Sequence, residues 1–84
     1  MANILIYKIM FNPTVGKLFE IYQYFKTFSC NVRVSKNKDK RLIDSHSYIG
    51  LMSLGLHQYD EIHICFDSNI NLNAIKNKLD LLSI

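Results

Sequence analysis

His46 to Ile64 reads HSYIGLMSLGLHQYDEIHI: a polar start, a nearly continuous apolar run broken by two glycines, and an alternating end. Ser47 stands where a short hydroxyl side chain can accept from a free first-turn amide, and Gly55 where a helix end wants a C-cap. The spacing therefore predicts a short helix over Ser47–Leu54. Leu51 and Leu54 lie three residues apart on one face and are expected to point inward. Tyr48, Ile49 and Met52 are then expected to point largely away from the core. EIHICF, Glu61–Phe66, follows as a strand with Ile62 and Ile64 on one side.

The flanking sequence supplies what such a helix needs to pack on. Ile4–Met10 is rich in Ile, Leu and Tyr and reads as a first strand, closed by the turn signal Asn12-Pro13. Leu18, Ile21, Tyr22, Phe25 and Phe28 then recur at spacings of three and four, while Lys17, Glu20, Gln23 and Lys26 fall outside that stripe. This predicts an amphipathic helix over about Val15–Phe28. Its N-cap is Thr14, with Asn12 ahead of a first-turn Pro13 as the competing assignment. Asn31–Lys36 and Arg41–Asp44 form a hairpin about a charged tip holding Lys36, Lys38, Lys40 and Arg41, which reads first as a solvated loop. Leu72, Ile75, Leu79 and Leu82 give a last helix, capped by Asn69 or Asn71. The order is β-α-β-β-α-β-α, an α+β open-faced sandwich: a four-stranded antiparallel sheet with three helices on one face.

Eighty-four residues fit one domain, 1–84, with a thin core. Apolar residues at 49% and charged residues at 20% are globular proportions. A formal charge of +3 lacks the clustering of a dedicated nucleic-acid binder, and no aromatic stacking platform adjoins Arg33, Lys36, Lys38, Lys40 and Arg41. Cys30 and Cys65 are too far apart in sequence for a Cys-x-x-Cys site and read as reduced thiols, so neither a metal nor a cofactor is expected. MANILIYKIMF has no basic region ahead of its apolar run, and no segment approaches the roughly 18 uncharged apolar residues that span a bilayer. A cytoplasmic protein is expected, with no direct binding to nucleic acid or membrane.

Ser47, Gly50, Met52-Ser53-Leu54-Gly55 and Glu61-Ile62 carry a more specific signal. They resemble the second-helix segment of the HPr family, the small phosphocarriers of the bacterial sugar phosphotransferase system. Outside that stretch the similarity is one of length, element order and apolar pattern, including Gln23 and Phe28, with about two extra residues in the SKNKDKR hairpin. In the family, a histidine between the first strand and first helix takes phosphate from Enzyme I, and an arginine and a proline follow it. Counted back from Val32 without gaps, those places fall on Thr14, Gly16 and Lys17. The carrier histidine is absent there, and His46, His57 and His63 lie elsewhere. A phosphothreonine is a stable ester and a poor donor beside a phosphoramidate, and the missing arginine removes a bidentate phosphate partner.

The resemblance also implies a regulatory site. In many family members the serine opening the short helix is modified by HPr kinase/phosphorylase, and the phosphorylated protein docks on a LacI-type catabolite repressor. The matching residue is Ser47, which reads from its position alone as a helix cap. The residues matching Tyr48, Ile49 and Met52 form the family's exposed docking patch. The whole resembles the Crh-like branch, which lacks the histidine and serves only in regulation. The expectation is a non-enzymatic regulatory binding protein, a monomer or weak homodimer, partnered by HPr kinase/phosphorylase, a LacI-type catabolite regulator and other phosphotransferase-system proteins. The alternative is a phosphocarrier with an altered acceptor, Thr14 or a displaced histidine.

Overall fold

Alternation and helical periodicity are realised in one sheet and one helical layer. The computed structural model describes residues 3–36 and 42–83. Its elements are β1 (Asn3–Lys8), α1 (Val15–Lys26), β2 (Val32–Lys36), β3 (Ile43–Asp44), α2 (Tyr48–Met52), β4 (Glu61–Phe66) and α3 (Leu72–Asp80), with a 3₁₀ turn at Leu81–Ser83. The strands form one antiparallel sheet in the order β1-β4-β2-β3. This is the expected α+β open-faced arrangement, with boundaries shifted. The first strand stops at Lys8 rather than Met10, α1 at Lys26 rather than Phe28, and α2 covers Tyr48–Met52 within the expected Ser47–Leu54. Lys38, Lys40 and Arg41, part of the expected hairpin tip, lie outside the described residues.

One face of the sheet makes the core. Tyr7, Val32, Val34, Ile62, Ile64 and Phe66 alternate inward, and Leu18, Ile21 and Phe25 of α1, Leu51 of α2, and Ile75 and Leu79 of α3 close over them. Buried Ser45 is satisfied locally, its hydroxyl donating to the Val32 carbonyl at 2.9 Å. Tyr7 reaches through the core to donate to Asp80 Oδ1 at 3.1 Å, tying β1 to the end of α3.

Each helix begins on a short polar side chain, because the first amides of a helix lack backbone partners. Thr14 Oγ1 accepts from the Lys17 amide at 3.3 Å, Ser47 Oγ from Gly50 at 3.1 Å, and Asn71 Oδ1 from Ala74 at 3.2 Å. Thr14 and Asn71 are thus the caps, rather than Asn12 and Asn69.

Candidate functional site

The surface singled out by sequence is built where α2 lies beside α1. Asp44 starts the approach. Its carbonyl accepts from the Ser47 amide at 3.0 Å, and its carboxylate accepts from the His46 amide at 2.9 Å. The His46 ring lies with Nε2 3.0 Å from the Phe25 carbonyl oxygen at the end of α1. That contact places the proton on Nε2, since a carbonyl can only accept. Ser47 is extended, with φ −104° and ψ 112°, and exposed. Its oxygen caps α2 while remaining open to solvent.

Gly50 explains how α2 can lie so close to β3. A Cβ placed on it would sit 2.6 Å from Ile43 Cγ2 and 3.2 Å from Ser47 Oγ. A hydrogen is all the space admits. At the far end of the segment, Gly55 takes φ +61°, a left-handed conformation that glycine adopts without strain. Lys36 then clips the following loop, donating to the Gly55 carbonyl at 2.9 Å and lying 3.4 Å from Asp60. The His57 backbone amide, followed by Lys36, holds the Asp60 carboxyl below its ordinary range, against a desolvation that pulls the other way.

The patch differs from expectation in one residue. Ile49 is 80% exposed and Met52 38%, both facing out as predicted. Tyr48 is half-buried instead. It lies on the side of α2 turned to α1, with its ring edge-on to Phe19 at 5.4 Å between centroids and 5.5 Å from Tyr22. Phe19, itself 5.9 Å from Tyr22, is 42% exposed and extends the apolar surface onto α1. Sequence reasoning missed Phe19 because it lies outside the stripe facing the sheet. A large apolar residue flanking that stripe was the available signal. Aromatic pairs of this kind contribute about 0.5–1.5 kcal/mol each beyond area burial, so Tyr48 anchors the patch while Ile49 and Met52 present it.

Thr14, Gly16 and Lys17 form a separate feature at the start of α1. Thr14 is exposed, and Lys17 Nζ lies over the Phe11 ring at 5.6 Å from its centroid. A Cβ on Gly16 would meet nothing within 4 Å, so packing does not require glycine there. With Glu20, Leu81 and Leu82 these residues line a shallow depression of about 450 Å³. The structure brings none of the three histidines into that lining. His46 caps α1 at its other end, His57 sits 3.6 Å from Asp60, and His63 lies on β4, 3.2 Å from Glu61 Oε1. Among the described residues no cluster of three or more His, Cys, Asp or Glu side chains could hold a metal. Cys30 and Cys65 are free thiols. No helix among the described residues is long and apolar enough to cross a membrane.

Comparison with known proteins supplies the frame for this geometry. Residues 19–83 match the family model described as the PTS HPr component phosphorylation site. The matched span includes Ser47 and all of α2, and begins after Lys17. No curated protein matches the chain. Among solved structures, the crystal structure of HPr-C-His from Thermoanaerobacter tengcongensis superposes with a TM-score of 0.69 at 23% identity, over 98% of this chain and 90% of that one. At that identity the likeness is one of fold.

Proposed function

The chain belongs to the PTS HPr component family, and from that premise we propose that it is a regulatory, non-catalytic member that binds proteins through α2 under the control of Ser47. The family is one of phosphocarrier proteins working with other proteins of the phosphotransferase system, so protein partners follow from membership. The finer reading is ours. In it residues 1–84 act as a single cytoplasmic domain, HPr kinase/phosphorylase modifies Ser47, and a LacI-type catabolite regulator docks on Ile49 and Met52 beside the Tyr48 and Phe19 rings.

The observation that carries this reading is the exposed Ser47 hydroxyl at the start of an apolar, outward-facing turn. A phosphate there meets first-turn amides, so it can be accommodated without unfolding α2. Ile49 and Met52 offer apolar contact next to it, and a flexible methionine suits more than one partner. The same chemistry argues against carriage at Thr14. A phosphate on its hydroxyl would be a stable ester and a poor donor. Lys17 is a nearby cation, but a compact ammonium does not reproduce a planar guanidinium fork.

Two assays test the proposal. With phosphoenolpyruvate and Enzyme I the protein should take up no acid-labile phosphate, and uptake would restore the carrier reading. The Ser47-phosphorylated protein should bind a LacI-type regulator, and Ile49→Glu should weaken that binding about 30-fold or more, as expected for a central apolar contact. Equal binding by the variant would move the docking surface elsewhere.

A further inference from the structure

We infer that the groove between α1 and α3 is a binding site for a free α-amino acid with a large apolar side chain. The groove encloses about 340 Å³, at the small end of the volumes that hold a single ligand. Its floor is apolar, made by buried Ile21 and Leu79 and half-buried Leu82. None of Ser47, Tyr48, Ile49 and Met52 lines it, so the site is separate from the α2 surface and goes beyond the regulatory reading.

Opposite charges stand on the two walls. Glu20 lies on the α1 side and Lys78 on the α3 side, both exposed. Among the described residues neither enters an ion pair, with the other or with any third group. Lys78 Nζ lies instead over the Tyr24 ring, 5.8 Å from its centroid. Tyr24 follows Glu20 by four residues, about 6 Å further along α1. The carboxylate and the ammonium are thus set apart along the groove rather than against each other. The Tyr24 hydroxyl has no hydrogen-bond partner among the described residues. Burial raises its pKa above the ordinary value, so beside Lys78 it stands protonated, as a second donor.

Charge complementarity selects the occupant. In a zwitterion the ammonium pairs with the Glu20 carboxylate, while the carboxylate accepts from Lys78 Nζ and the Tyr24 hydroxyl in charge-assisted bonds of about 2.7–2.9 Å. The side chain on the carbon between them then covers Ile21, Leu79 and Leu82, which requires it to be apolar. A plain amine leaves Lys78 and Tyr24 without an acceptor, and a plain acid leaves Glu20 without a donor. Each loses one of the two charged contacts that the groove offers. With both contacts exposed and a single small side chain buried, affinity is modest, a dissociation constant of about 0.1–1 mM.

Amide chemical-shift mapping by NMR at neutral pH, with L-leucine or L-phenylalanine added up to about 10 mM, tests the inference. The shifts should saturate and gather at Glu20, Ile21, Tyr24, Lys78 and Leu79. Isoamylamine, which lacks the carboxylate of leucine, and 4-methylpentanoate, which lacks its amine, should each bind at least about 10-fold more weakly than leucine. Glu20→Gln should abolish the preference for leucine over 4-methylpentanoate, and Lys78→Met the preference over isoamylamine. Both side chains are exposed, so each variant should keep the fold, seen as an otherwise unchanged spectrum. No saturable shift, shifts centred on Ile49 and Met52, equal binding of leucine and its two analogues, or undiminished leucine binding by both variants would overturn the inference.

Discussion

Replacing Gly50 with alanine tests whether the closeness of α2 to β3 is real. The added methyl carbon would stand 2.6 Å from Ile43 Cγ2, 3.2 Å from Ser47 Oγ and 3.3 Å from Ser47 Cβ. Ile43 is β-branched and has few alternative rotamers, so it cannot simply swing away. Overpacking of one methyl costs about 1–3 kcal/mol. Alanine returns about 1 kcal/mol of helix propensity, leaving a net destabilisation of roughly 0–2 kcal/mol. For a chain of this size each kcal/mol lowers the melting temperature by about 4–8 °C. Thermal unfolding by circular dichroism reads that shift. Ile43→Ala removes the obstructing methyl, so Gly50→Ala should cost less in that background than alone, a coupling visible in a double-mutant cycle. Additive costs in the cycle would refute the packing argument.

Further expectations concern single contacts. Ser47→Ala removes the α2 cap and should cost about 1 kcal/mol while the protein still folds, measurable by denaturant titration. The Tyr7 hydroxyl is pushed well above its ordinary range by burial first and then by the Asp80 hydrogen bond and charge. Its contribution is therefore fully present below pH 10 and lost as pH rises above it, so alkaline unfolding should be shallower in Tyr7→Phe. The same variant should lose about 1 kcal/mol at neutral pH. Asp60, held below its usual range, contributes stability above that range that is lost on acidification. Asp60→Asn should flatten the acid limb of a stability–pH profile, and an unchanged limb would remove Asp60 from the clip.

The sequence was most readable where local chemistry decides the outcome. Thr14, Ser47 and Asn71 cap their helices because each is a short acceptor beside free amides, and that is visible in residue type and spacing. The inward faces of α1, β4 and α3 follow from period alone. Contacts between elements were less readable. Tyr48 looked outward on its own turn, yet α1 lies beside that turn and its rings enclose the phenol. Phe19 joins the same surface for the same tertiary reason. Tyr59, a large residue at φ 75°, is held there with its amide donating to Ile9, and nothing in its type announces a left-handed turn. The groove between α1 and α3 depends on packing between helices far apart in sequence, so it emerged only with the fold.

Phosphate mapping on the intact protein tests the central claim most directly. Incubated with HPr kinase/phosphorylase and ATP, the protein should gain one phosphate, located on Ser47 and absent from Ser47→Ala. Failure to take up phosphate, or uptake unchanged in Ser47→Ala, would contradict control through Ser47 and leave that residue a helix cap alone.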